Sequence, residues 1–366
     1  MNQLVEMEDT MDLKFMEALS GAKGVSGFEK EVVEVIRQYV GDRLTVTIDQ
    51  MHNVILRRPC DSGREDVPVV MLDAHSDEIG FIIQSVQANG TLKFLPLGGW
   101  SDQNVSAQKV WVRNAEGNYI QGIVASMPPH FATGPAKLIP IGEMSIDVGA
   151  TSFDEVVSIF KIEPGAPVVP YAAFSYIEET GIMCGKAFDN RLGCNAVVET
   201  MLALVDTPLS VKLVGAISAQ EEVGLRGAGI NARKIKPDLA IVFEGTPADD
   251  TFKNAYDSQG ALKKGTQIRH FDRSMIANAD LIAYAIETAK ESGISYQRAV
   301  REGGGTNAGA IHLANSGVPC LVLGTPVRYA HTHHGYSAVA DQEATIALAK
   351  AVIEKISPED KERLLF

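Results

Sequence analysis

A chain of 366 residues exceeds the length at which a single hydrophobic core usually stops growing, which predicts one large domain and a smaller one. Hydrophobic residues make up 45% and charged residues 22%, with 33 Gly and 16 Pro, a balance that excludes a disordered or low-complexity chain. The formal net charge of -13 excludes non-specific nucleic-acid binding, which needs clustered cations, and no stretch approaches the length of a membrane span.

Met1 to Ser20 mixes acidic with apolar residues and reads as no signal peptide. Ser26 and Glu29 stand at capping-box spacing before an apolar stripe of Phe28, Val32, Val35, Ile36 and Tyr39, which predicts a helix lying on a sheet. Two short strands follow, Thr45 to Asp49 and Asn53 to Leu56. The run Val67 to Leu72 then predicts a strand buried on both faces, ending at Asp73-Ala74-His75-Ser76-Asp77-Glu78.

From about Phe81 to Val169 the pattern changes to short β runs broken by Asn89-Gly90, Gly98-Gly99, Glu116-Gly117 and Pro128-Pro129, with at most a helical turn near Asp154 to Val157. An α/β rhythm then resumes. It predicts a helix from Arg191 to Val205, strands Val211 to Ser218 and Leu239 to Phe243, a helix from Ser274 to Glu291, and a strand Cys320 to Leu323. The fold class is therefore α/β, with a larger domain of residues 1–77 and 172–366 interrupted by a β-rich, barrel-like module of residues 78–171. Cys60, Cys184, Cys194 and Cys320 form no CxxC pair and read as reduced, mostly buried residues of a cytoplasmic protein.

Polar residues just past the carboxyl end of a buried strand face the crevice where α/β proteins bind ligands. His75 and Asp77 follow the first buried strand, Glu221 and Glu222 follow Val211 to Ser218, Glu244 follows Leu239 to Phe243, and His331 follows Cys320 to Leu323. Asp189 opens a helix in Phe188-Asp189-Asn190-Arg191. Each has an ordinary structural explanation alone: a cap, a buried histidine, a solvated charge pair. Together, histidines and carboxylates without thiolates suit a pair of divalent ions such as Zn, Co or Mn.

The chain resembles the glutamyl, deblocking and tetrahedral (TET) aminopeptidases, metallopeptidase family 42, nearly end to end. The resemblance rests on Gly24-Val25-Ser26-Gly27, on Asp73 to Phe81, on Pro96-Leu97-Gly98-Gly99-Trp100, on Ala187 to Arg191 and on Gln220 to Gly227. It implies a mixed-sheet α/β/α two-metal exopeptidase domain and makes the inserted module a dimerisation domain. Asp189 would bridge two ions, zinc first among the candidates, one also held by His75 and Glu244 and the other by Glu222 and His331. Glu221 would be the general base toward water held between the ions, and Asp77 would accept a hydrogen bond from His75 and fix its tautomer. Short peptides would be the substrates, and dimers would assemble into a dodecamer.

Two positions depart from the family pattern: Glu244, where aspartate is common, and Asn307, where Gly-Thr-Asp-Ala is frequent. Loss of the second charge predicts one fewer anion near the substrate's amino group. The departures motivate a second reading, a carboxypeptidase or N-acyl amino-acid deacylase on the same metal pair. Glycoside hydrolysis by Glu221 and Glu222 is a third, and a non-enzymatic assembly protein a fourth. Gly303 to Ala308 reads equally as a substrate-approaching loop or a turn before a helix near Ala308, and His333 and His334 read as surface residues.

Overall fold

The computed structural model describes residues 11–64, 67–131, 138–357, 360 and 364, so part of the stretch Met1 to Ser20 lies outside the described residues. Helix α1 (Leu13–Gly21) is capped by Asp12, whose carboxylate accepts from the amides of Lys14 and Phe15. Helix α2 (Lys30–Val40) buries Val32, Val33, Ile36 and Val40. The expected capping box does not form. Glu29 makes no side-chain cap, and the Ser26 hydroxyl donates to Asp77 Oδ2 at 2.6 Å, because an ionised acceptor makes the stronger bond.

Strands β1 (Thr45–Ile48), β2 (Val54–Arg57) and β3 (Val69–His75) come next. Six strands then close a barrel: β4 (Gly80–Val86), β5 (Leu92–Leu97), β6 (Lys109–Arg113), β7 (Tyr119–Val124), β8 (Ile146–Asp147) and β9 (Pro167–Pro170). Phe81, Ile83, Leu92, Phe94, Val110 and Val112 fill its interior. Closure pairs each of these strands on both sides, and so removes exposed sheet edges. The expected helical turn is a short π-helical segment, Glu155–Phe160.

After the barrel the chain forms β10 (Ser175–Ile177), β11 (Ile182–Gly185), α3 (Phe188–Ala203), β12 (Lys212–Ser218), α4 (Arg226–Ile235), β13 (Leu239–Pro247), β14 (Thr266–Phe271) and α5 (Ala279–Glu291). It ends with β15 (Tyr296–Val300), α6 (Ala308–Ile311), β16 (Cys320–Val327), β17 (Gly335–Ala338) and α7 (Val339–Lys355). The helix expected from Ser274 begins only at Ala279. Asp272 takes the amides of Ser274 and Met275 into a turn, and Asn278 supplies the cap.

The eight-stranded sheet has the order β1-β2-β12-β3-β13-β16-β14-β15. Its central strands β12, β3, β13 and β16 run parallel and are buried almost throughout, which is why they read as apolar runs. Alternate residues serve opposite faces. Val70, Leu72, Leu239, Ile241 and Phe243 join the large core under α2, α3, α5 and α7. Met71, Ala216, Ala240 and Val242 meet the small residues of α4 and α6. β10, β11 and β17 form a separate small sheet.

Among the described residues no helix is long and apolar enough to cross a membrane. All four cysteines are free. Cys194 and Cys320 are buried, whereas Cys60 is exposed, against the expectation for it.

Candidate metal centre

Sheet register sets the site. Ser218 pairs with His75, which puts Glu221 and Glu222 just beyond the end of β3. Val242 pairs with Asp73, so Glu244, two residues on, stands level with His75. Strand β13 continues to Pro247, and Glu244 therefore projects from within the strand rather than from a loop after it.

Asp189 reaches the same place from α3. Asp189 and Asn190 depart from helical geometry, and the Asn190 side chain ties them to β13: its amide donates to Phe243 O at 2.9 Å, and its oxygen accepts from Gly245 N at 2.9 Å. Gly245 is required here, because a Cβ at that position would lie 2.4 Å from the Phe188 carbonyl oxygen. Asn190 and Gly245 position the site; the sequence marks Asn190 only as a member of the Ala187 to Arg191 motif and gives no signal for Gly245.

The two oxygens of Asp189 face different histidines. Oδ1 lies 3.2 Å from His75 Nε2, which is also 3.3 Å from Glu244 Oε1. Oδ2 lies 3.4 Å from His331 Nε2, itself 3.6 Å from Glu222 Oε2. Ligand bonds of about 2.1 Å in a tetrahedral site place donors about 3.4 Å apart, so both sets have the spacing of a divalent-metal cage. Donor atoms of His75, Asp189 and Glu222, and those of His75, Glu221 and Glu244, also lie within 4.8 Å of one another. Glu222 Oε1 and both Glu244 carboxylate oxygens are buried without a hydrogen-bond partner, as suits atoms that ligate cations.

The other nitrogen of each imidazole is held by main chain. His331 Nδ1 sits 2.7 Å from Gly99 O, a carbonyl on the loop after β5. His75 Nδ1 lies 3.0 Å from the Asp77 carbonyl oxygen and 3.5 Å from its carboxylate. The expected bond from His75 to the Asp77 side chain is thus displaced by one to its main chain. The carboxylate is engaged elsewhere, accepting from Glu221 N at 2.9 Å, Glu222 N at 3.1 Å and Ser26.

Protonation follows from this crowding. Burial alone would lower His75, but Glu221, Asp189, Asp77 and Glu244 outweigh it and hold its pKa well above the usual value. His331 rises to about 10, burial being overcome by Asp189 and Glu222. Burial pushes Glu221 well above the carboxylate range against the pull of His75, and Glu244, Glu222 and Asp189 add to the rise. Burial likewise raises Glu222 to about 8. Asp189 goes the other way: burial opposes, but the two histidines hold it low.

His75, Asp189, Glu221, Glu222, Glu244 and His331 all line one pocket of about 800 Å³, and Asp77 stands behind it. Its far wall carries Lys253, Arg269 and Arg301, and Gly303, Gly304 and Gly305 line its side. Asn307 is not there. It is buried, and its amide donates to Asp73 Oδ1 at 2.6 Å, so an aspartate in its place would face a second buried carboxylate rather than a substrate amine. His333, expected at the surface, is buried against Trp100 with ring centroids 5.2 Å apart, while His334 is exposed. Arg328 binds Asp250 at 2.6 Å and does not line the pocket.

A mixed α/β sheet that delivers histidines and carboxylates from its strand ends to a metal-sized cluster defines a class, the metal-dependent hydrolases. Residues 53–348 match the model of the M42 glutamyl aminopeptidase family, and the chain belongs to that family. It is therefore a hydrolase acting on peptides, an aminopeptidase of a metal-dependent family. The chain is 32% identical over 351 residues to the glutamyl aminopeptidase of Lactococcus lactis subsp. cremoris, covering 94% of this chain and 96% of that one. Its fold is similar to that of a TET aminopeptidase from a marine sediment archaeon of the Thaumarchaeota, with 35% identity, TM-score 0.90, and 96% and 99% of the two chains covered. It is also similar to the TET1 peptidase of Pyrococcus horikoshii, described as assembling into a tetrahedron or a large octahedral shell, with 28% identity, TM-score 0.84, and 94% and 99% covered.

Proposed function

We propose that this aminopeptidase works with two divalent ions per subunit, zinc first and cobalt or manganese as alternatives. His75, Asp189 and Glu244 hold one, and Asp189, Glu222 and His331 hold the other. The observation that carries this reading is the pair of Asp189 oxygens, each turned to a different histidine. Such ions, when bound, polarise a carbonyl oxygen and lower the pKa of water to about 7.

Glu221 is the general base. Its carboxylate lines the pocket beside both ligand sets, where, ionised, it can take a proton from water and return it to the leaving amine. Asp77 holds the main chain under Glu221 and Glu222 and receives no proton.

The far wall favours an acidic N-terminal residue. Lys253 and Arg301 share Asp249, and Arg269 pairs with Asp272; outside the metal cluster the pocket lining carries these three cations and one carboxylate, Glu302.

Residues 78–171 form the dimerisation domain of a homo-oligomer whose dimers assemble into a dodecamer, acting on short peptides in the cytoplasm; the tetrahedral assembly described for the Pyrococcus protein supports a large homo-oligomer. Met127, Phe131, Leu138, Phe153 and Ile159 form exposed apolar surface on this module, which supports that role.

The test is elemental analysis of purified protein, followed by hydrolysis of aminoacyl anilides and N-acetylated peptides with and without chelator. The expected result is two ions per subunit and chelator-sensitive cleavage of free-amine substrates, fastest with N-terminal Glu or Asp. Cleavage of N-blocked substrates alone would replace this reading with the deacylase one.

A further inference from the structure

Glu29 is fully buried, yet it belongs to neither ligand set nor to the pocket wall. Its Oε1 accepts from Gly27 N at 2.7 Å and from Gln220 N at 3.2 Å. Its Oε2 has no hydrogen-bond partner and lies 3.6 Å from Nδ1 of His52. Carboxylates are rarely buried this deeply unless they hold something in place.

Glu29 holds one member of a run. The four successive main-chain amides that follow β12 all donate to side-chain oxygens. Ala219 N gives to Asn53 Oδ1 at 2.8 Å, Gln220 N to Glu29, and Glu221 N and Glu222 N to the two Asp77 oxygens. Gln220 sits in the left-handed region at φ +58°, which a residue with a Cβ disfavours, so the turn depends on these receivers to persist. Its shape decides where the next side chain points, and that side chain is Glu221.

We infer that Glu29 is a positioning residue for the general base, fixing through the Gln220 amide the main-chain direction from which Glu221 enters the pocket. The inference rests on the proposed role of Glu221. It assigns work to the Ser26-Gly27-Phe28-Glu29 segment that a helix cap would have explained differently. The group needed is an oxygen that can accept two amides at once. Glutamine can supply it, with its NH2 turned toward His52 Nδ1, whereas aspartate, one methylene shorter, draws the oxygen away from Gln220 by about the length of a bond.

The test uses the zinc-loaded full chain in its native assembly, with glutamyl p-nitroanilide as substrate, reading kcat, KM, bound zinc and melting temperature. The variants are Glu29→Asp, Glu29→Gln and Glu29→Ala, with Glu221→Gln in the same series. A displacement near 1 Å costs up to about 100-fold, so Glu29→Asp is expected to lower kcat about tenfold or more, with KM and zinc content unchanged. Glu29→Gln should keep kcat within about threefold of the parent.

If Glu29→Asp turns over at the parental rate per zinc-loaded site while only its melting temperature falls, Glu29 is merely structural and the inference is wrong. It is equally wrong if Glu29→Gln is as impaired as Glu29→Asp. Full activity in Glu221→Gln would instead overturn the base assignment itself. Glu29→Asp and Glu29→Gln retain a buried polar group and keep the test decisive should Glu29→Ala not fold.

Discussion

The two proposed ligand sets that meet at Asp189 are built differently. In the first, His75 and Glu244 project from adjacent strands of the central sheet, each paired with its other neighbour at that level, and the His75 side chain is 2% exposed. In the second, Glu222 stands on a turn and His331 on a loop, with a side chain 40% exposed. The same donors on a rigid sheet and on loops differ in how much ordering they need before they can bind, so the first set should hold its ion more tightly and exchange it more slowly. One half of the proposed centre is thus carried by the sheet, and the other is assembled from a turn and a loop.

The change expected to act most strongly removes the shared ligand. Asp189→Ala should abolish binding of both ions and, with it, essentially all turnover, measured as metal content and anilide hydrolysis. Retention of one full equivalent would show that the first set stands without its bridge. Glu221→Gln should lower kcat by about 100- to 10,000-fold, as expected for loss of a general base, with both ions kept. Equal metal loss in these two variants would erase the distinction between ligand and base.

His331→Ala separates the halves directly. It should leave about one ion per subunit, since the donors of the first set are untouched, whereas His75→Ala should weaken the tighter site. Stepwise chelator titration of the unmodified protein should release the ions in two phases, and a single phase would argue that the two sites are equivalent.

Protons give a further handle. In the metal-free cluster the pKa of His331 is raised to about 10 and that of Glu222 to about 8, so both carry protons at pH 7. Ligands must shed those protons to bind an ion, so affinity at the second set should strengthen as pH rises from 6 toward 8 and weaken as it falls. Calorimetry in buffers of different ionisation enthalpy would show proton release, and none would contradict the assignment. The smallest expected effect is that of Glu244→Asp, which shortens one arm of the first set and should change its ion affinity severalfold while leaving the second unaffected.

Much of the candidate site was legible in the sequence, because a strand buried on both faces reads as an apolar run and the polar residues after it mark the crevice. His75, Glu221 and Glu222 follow that rule. Glu244 departs from it only in that β13 runs on to Pro247, past the last hydrophobic residue of the expected strand. What stayed hidden depends on distant pairing. Ser26 has the local spacing of a helix cap, but a carboxylate 51 residues away claims its hydroxyl. His333 gave no periodic signal of burial, and its place under Trp100 is set by how the barrel sits on the sheet. Asn307 lies close in sequence to pocket-lining glycines yet turns inward to Asp73, a direction that composition does not encode.

The Gly99 carbonyl belongs to the inserted barrel, yet it orients His331 from 232 residues away in the chain. Trp100, the next residue, stacks on Phe81 of β4 with ring centroids 4.7 Å apart and donates to Gly80 O, so this loop moves with the barrel. The barrel therefore donates no ligand and still acts as a vernier on the centre. A tilt of the inserted module, from a neighbouring subunit or a substitution at its seat, would be transmitted through this carbonyl to the His331 imidazole.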